Sequence, residues 1–287
     1  MARRNYEHVA VFEIGMRKFS ALIFTVILLL DFSGALFLMP EVAYADITTN
    51  LVGHWKFDEG TGVTTADSSG FGNTGDLLGS PAWTTGRLSG ALDFDADDSF
   101  VQLTTLVAAG TGTTIAAWIY PRSTGENGFG MIAAQNGGYA LSMCSNDGTE
   151  CPSTPNTLEL YSYHSGTDGI WHAASNAITM NQWNHVVVTY DNSSTSNEPI
   201  FYVNGAVSAT TERVEPTSSA PANKIGFLGG LDASGGFVFD GIIDDVRIYS
   251  RVLTGSDVTE LYATGAGATR IIRLRGRVQI WGGARLR

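Results

Sequence analysis

The feature that most limits the fold is a strict two-residue alternation, clearest in "NQWNHVVVTYD" at residues 181–191. Trp183, His185, Val187 and Thr189 fall on one side, and Asn184, Val186, Val188 and Tyr190 on the other. Successive side chains of a strand point to opposite faces, whereas a helix repeats about every 3.6 residues. Valine, threonine and aromatic residues favour the pleated state further. The stretch is therefore read as a strand. His185 is expected to be packed and hydrogen-bonded on the face of Trp183 and Val187, not catalytic, since no nucleophile or carboxylate stands at a spacing that would orient it.

The same grammar runs through the chain. The stretches "LVGHWKF" (51–57), "GALDFD" (90–95), "SFVQL" (99–103), "TTIAAWIY" (113–120), "GFGMIAAQ" (128–135) and "YALSMC" (139–144) read as strands. So do "TLELYSYH" (157–164), "GIWHAA" (169–174), "KIGFLGG" (224–230), "GFVFD" (236–240) and "IIDDVRIYS" (242–250). Gly, Asn, Asp or Ser separates nearly every pair, and glycine, at 34 residues, suits a fold rich in turns. Asn204-Gly205 between two apolar runs predicts a type I′ hairpin, whose two central residues need positive φ. One helix is expected, with Thr254 as N-cap, Asp257 three residues on, Val258, Leu261 and Tyr262 spaced along it, and Gly265 at its end. About a dozen strands without helical periodicity between them predict one all-β antiparallel sandwich or barrel over residues 46–265. Trp55 and Trp118, amid apolar strand residues, are expected in its core.

The first 45 residues read differently. Arg17 and Lys18 precede the apolar run Ala21–Leu30, and Ala43-Tyr44-Ala45 has the small-x-small form of a cleavage site. This is the pattern of a secretory signal peptide cut after Ala45, with Met16 as a candidate start. Asp31 interrupts the run before the roughly 20 apolar residues a spanning helix needs, so an uncleaved membrane anchor is the alternative. A secreted or cell-surface chain meets an oxidising environment, where Cys144 and Cys151 are expected to bridge the polar loop "SNDGTE"; the alternative is two free thiols. Residues 46–265 hold seven basic and 24 acidic side chains, a net of −17, which repels nucleic acid and anionic membranes. Residues 266–287 reverse the sign with six arginines and no acid, and without a packed pattern they are expected to form a disordered tail.

Seven motifs in order, "HWKFDEGTG", "DSSGFGNTG", "ALDFDADDSFVQL", "TIAAWIYP", "WNHVVVTYD", "FYVNG" and "DGIIDDVRIYSRVLT", resemble the laminin-G-like domains of the concanavalin A-like lectin/glucanase superfamily. The resemblance covers Leu51 to Thr264. It implies two antiparallel sheets packed face to face, one concave and one convex, a jelly-roll sandwich beside which the C-terminal helix read above would lie.

Two candidate sites follow. "DSSGFGNTG" packs Asp67, Ser68 and Asn73 into a tight loop. These are hard oxygen ligands suited to calcium, or an Asx turn bonding its own backbone. The resemblance adds a structural Ca2+ between the N-terminal loops and the last strand, with Asp58 and Asp244 as further ligands. Alternation places Asp244 in line with Ile242, Val246 and Ile248, where an unpaired carboxylate is costly. Asp245 and Arg247 share the opposite face and can pair. The second site is "LYSYHSGTDGIWHAASN". There Tyr161, Tyr163, Trp171, His172 and Asn176 are expected to bind a glycan or cell-surface polysaccharide, aromatic faces stacking on sugar rings. The Glu-x-Asp-x-x-Glu spacing of the superfamily's glucanases is absent from the sequence. The expected function is a non-catalytic carbohydrate-binding module, with a protein-binding adhesion module or a hydrolase with unrecognised carboxylates as alternatives.

Overall fold

A computed structural model describes residues 46–109, 112–134, 138–144, 156–218 and 223–266, preceded by two short strands, β1 (Leu28–Leu30) and β2 (Leu36–Leu38). The chain divides into two compact units, Met1–Tyr44 and Ala45–Arg287. In the first, β1 pairs antiparallel with β2. The rest of the expected leader, Cys151 and the tail from residue 267 lie outside the described residues.

The second unit continues with β3 (Leu51–Trp55), β4 (Thr64–Thr65), β5 (Gly75–Leu78), β6 (Ala82–Thr85), β7 (Gly90–Asp95) and β8 (Phe100–Ala109). Next come β9 (Gly112–Pro121), β10 (Phe129–Ala134), β11 (Tyr139–Cys144), β12 (Thr157–Ser162), β13 (Gly169–His172) and β14 (Asn184–Asp191). The last are β15 (Ile200–Val203), β16 (Ala206–Ser208), β17 (Thr211–Val214), β18 (Asn223–Leu228) and β19 (Asp240–Tyr249), then α1 (Gly255–Gly265). A nine-stranded sheet runs β17-β13-β12-β11-β10-β18-β8-β5-β4, and an eight-stranded one runs β16-β15-β14-β9-β19-β7-β6 with β3 also on β19. Every strand pairing among the described residues is antiparallel, so the expected two-sheet sandwich is the fold.

Alternation decides which side chains fill the space between the sheets. Ile115, Ala117 and Ile119 of β9, Val186 and Val188 of β14, Leu141 and Met143 of β11, and Leu158 and Leu160 of β12 form one buried core with Trp55. Each large apolar side chain so buried contributes about 1.5–3 kcal/mol. The Asn204-Gly205 hairpin joins β15 to β16, both residues at positive φ (52° and 80°). Thr254 caps α1 in a capping box with Asp257. The helix lays Val258 and Leu261 on Leu51, Ala116, Val187, Tyr202 and Tyr249, covering the outer side of the eight-stranded sheet.

Three expectations need correction here. Trp118 is buried, but beneath α1, its ring 5.7 Å from that of Tyr262, and not between the sheets. A Cβ at Gly265 would lie 2.2 Å from Trp118 Nε1, so only glycine lets the helix end approach this closely. His185 packs against Trp118 and Tyr262 with ring centroids at 5.0 and 6.0 Å, yet its Nδ1 has no hydrogen-bond partner. "GFVFD" is largely a loop, of which Asp240 alone joins β19. Phe237 takes φ 58°, which breaks the alternation, and with Leu231 it packs on Phe129 and Met131 over the outer side of the nine-stranded sheet. Strands β4, β5, β6 and β17, short and with little apolar alternation, were not foreseen from the sequence.

Candidate functional site

The first candidate grows from a bulge in β19. Asp245 takes φ 49°, and the register against β9 shifts between Asp244 and Arg247. One extra residue reverses which face follows. Ile243, Val246 and Ile248 therefore enter the core, while Asp244 turns to the other side, opposite Trp118. The expected line of Ile242, Asp244, Val246 and Ile248 is thereby corrected.

Asp244 is fully buried. Its Oδ2 accepts a hydrogen bond from the Leu88 N–H at 2.7 Å, while its Oδ1 has no partner. Burial pushes its pKa up to about 7, and the neighbouring Asp245 and Asp58 push the same way. Asp58, on the loop after β3, accepts from the Gly90 N–H at 2.8 Å. Lys56, Asp58, Leu88, Ser89, Asp244, Asp245 and Arg247 line a pocket of about 300 Å³. Burial raises Asp245 as well, but the His54 hydrogen bond at 2.6 Å and the Arg247 charge outweigh it and hold its pKa below the ordinary value. The foreseen Asp245–Arg247 pair is formed, at 3.1 Å.

Asp67 and Asn73 do not line this pocket. Asp67 Oδ1 accepts from the His54 and Ser69 N–H groups at 2.9 and 2.8 Å, and Oδ2 from Ser69 Oγ and the Asn73 N–H at 2.8 and 2.9 Å. Asn73 donates to the Val52 carbonyl, and its own carbonyl accepts from Trp55 Nε1. This is the Asx-turn reading of the loop, with Asp67 satisfied by four donors. The expected set of four ligands is thus split: Asp58 and Asp244 face one pocket, and Asp67 and Asn73 tie the loop to β3.

The second candidate lies on the outer side of β12 and β13. Here Trp171 must be corrected. It stands opposite Leu160, faces the core, is fully buried and packs on Tyr190 at 5.1 Å, so no sugar can stack on it. His172, the next residue, points outward opposite Glu159. The two form a buried pair at 2.9 Å, with Cys144 Sγ 3.7 Å from Glu159 and 3.9 Å from His172. No cysteine among the described residues is free. Asn176 is exposed at φ 55° in the turn after β13, a conformation asparagine tolerates well.

Tyr161 and Tyr163 remain half-exposed, their ring centroids 4.6 Å apart. The Tyr161 hydroxyl donates to Asp168 Oδ2 at 2.6 Å, and the His164 N–H to Asp168 Oδ1 at 2.7 Å. The His164 ring is held by Ser162 Oγ and the Ser218 carbonyl. Asp168 was not foreseen. Its signal was the turn "SGTDG" directly before β13, whose acid reaches back to the tyrosine strand.

A two-sheet antiparallel sandwich of this kind is the architecture of concanavalin A-like proteins. Residues 95–259 match the laminin G family model (Laminin_G_3) of the concanavalin A-like lectin/glucanases superfamily, and the chain belongs to that family. Among solved structures it is similar to domain 4 of AbnA, a GH43 extracellular arabinanase from Geobacillus stearothermophilus, in complex with arabinotriose. That match has a TM-score of 0.54 at 21% identity and covers 74% of this chain and 98% of that one. The binding domain of Paraclostridial Mosquitocidal Protein 1 is similar at TM-score 0.54 and 16% identity, over 76% of this chain and 53% of that one. The botulinum neurotoxin type G receptor binding domain is similar at 0.51 and 14%, over 75% and 51%. The chain thus spans about half the length of the two toxin domains. At these identities the likeness is one of fold. No curated protein matches the chain.

Proposed function

We propose that residues 46–265 form an exported, non-catalytic carbohydrate-binding module stabilised by one calcium ion. The observation that carries the reading is the Tyr161–Tyr163 platform. Two half-exposed rings stand side by side, with a carboxylate and an imidazole already hydrogen-bonded at their rim. Flat aromatic faces beside fixed polar groups suit the alternating apolar and hydroxyl surfaces of a sugar. The arabinotriose bound by the similar arabinanase domain supports a glycan as ligand. The two acids of this face are otherwise engaged. Glu159 is buried against His172, and Asp168 has both oxygens bonded, so neither is poised as the acid or nucleophile of a glycosidase.

For the ion, the fit rests on Asp244. A buried carboxylate with one oxygen unpartnered, facing Asp58 in a shared pocket, is short of positive charge. Asp58 and Asp244 would hold the calcium, which supplies compensating charge and oxygen coordination. Export follows from the leader read before Asp46, and an oxidising destination suits a Cys144–Cys151 bridge.

Glycan-array binding by the wild-type chain, lost in Tyr161→Ala/Tyr163→Ala, is the test. Binding unchanged in that variant would move the site elsewhere, and binding only to proteins would favour the adhesion alternative.

A further inference from the structure

We propose that the tyrosine site accepts uncharged or cationic glycans and rejects those bearing carboxylate or sulfate groups, an inference that rests on the glycan reading above. Residues 123–212 contain no lysine or arginine and eight aspartates or glutamates. That segment supplies β10 to β16, and with them Tyr161, Tyr163, His164 and Asp168.

Among the described residues, the topology sets basic groups on strands away from the platform. β12 is flanked by β11 and β13, both from the base-free segment. Arg213 is reached only on the edge strand β17, beyond β13, and Lys224 on β18, beyond β11 and β10. At about 4.8 Å between strands, these backbones stand about 10 and 14 Å from β12. Recognition of a carboxylate or sulfate ordinarily uses arginine forks or lysine ammonium groups. The one imidazole at the rim, His164, has both ring nitrogens engaged, by Ser162 and Ser218. In place of a cation, the rim presents the Asp168 carboxylate, fixed by Tyr161 and His164. An anionic sugar would be desolvated there without a partner and against a like charge, whereas hydroxyl or amino groups find acceptors.

The test uses the full chain on immobilised polysaccharides: neutral arabinan, xylan and β-glucan, cationic chitosan, and anionic polygalacturonate and chondroitin sulfate. Signal is expected on neutral or cationic polymers alone. Oxidising the primary hydroxyls of a bound neutral polymer to carboxylates should weaken binding about tenfold or more at low salt. The gap should shrink at high salt, where charges are screened, and in Asp168→Asn. Equal or tighter binding of the carboxylated or sulfated polymers, abolished by Tyr161→Ala/Tyr163→Ala, would overturn the charge selection and leave the glycan site standing. Silence on every polymer would remove the glycan reading and this inference with it.

Discussion

On the outer side of the eight-stranded sheet, α1 shuts Trp118, His185 and Tyr249 away from water, and Trp118 Nε1 and His185 Nδ1 are left without hydrogen-bond partners. On the outer side of the nine-stranded sheet, Tyr161, Tyr163, His164 and Asp168 stay partly in solvent, with Asp168 and His164 bonded to their neighbours. Unsatisfied polar groups are thus gathered beneath the helix, while the charged groups of the open face are hydrogen-bonded. Groups already held in place would reduce the ordering cost of binding at the proposed site. The covered face contributes to the stability of the fold and its response to pH, and the open one carries the proposed glycan site.

Four experiments sharpen or break this contrast. Trp171→Ala, between the sheets, should cost about 3–5 kcal/mol in denaturant unfolding, as for other large core truncations. A loss under 1 kcal/mol would contradict its place in the core. Next is Asp244. Its folded pKa of about 7 lies above the ordinary 3.8, so the calcium-free fold is favoured at low pH and loses stability as pH rises through 7, by about 4 kcal/mol at most. Asp244→Asn should therefore stabilise the chelated protein at pH 8 and abolish any response of the melting temperature to calcium. A wild-type melting temperature indifferent to chelator would sink the calcium assignment.

His185 works in the opposite direction. Burial lowers its pKa from 6.5 to about 4. Its contribution is fully present above about pH 6.5 and is lost as pH falls towards 4, by about 3 kcal/mol. In calcium-free protein the two groups offset each other between pH 4 and 6.5, and stability should vary little there. Calcium should expose the acid loss by keeping Asp244 ionised, and His185→Gln should remove it. A steep acid loss that persists in His185→Gln would assign the titration to another group. The smallest expected stability effect belongs to Tyr161→Ala/Tyr163→Ala, which should shift unfolding by about 1–2 kcal/mol, since half-exposed rings bury less, while weakening glycan binding about tenfold or more.

Much of this was legible in the sequence because a period of two leaves few ways to bury a β-rich chain. The hairpin at Asn204-Gly205 and the capped helix at Thr254 follow from local residues alone. Face assignment failed where one residue changed the count. Nothing in "IIDDVRIYS" announces that Asp245 adopts a positive φ, and that bulge moved Asp244 out of line with Val246. Trp171 was misplaced for another reason. Alternation already demands that it and His172 point opposite ways, but which of them points inward is set by the pairing with Leu160, a contact eleven residues away. Asp168 was legible only as a turn residue until the fold brought it to Tyr161.

The loop between β6 and β7 touches two things at once. Its Arg87 guanidinium sits 5.1 Å above the Trp118 ring, and the neighbouring Leu88 N–H holds Asp244. Indole emission is sensitive to a cation over the ring. The same loop thus links the Trp118 ring, over which Arg87 lies, to the carboxylate of the buried acid that Leu88 holds.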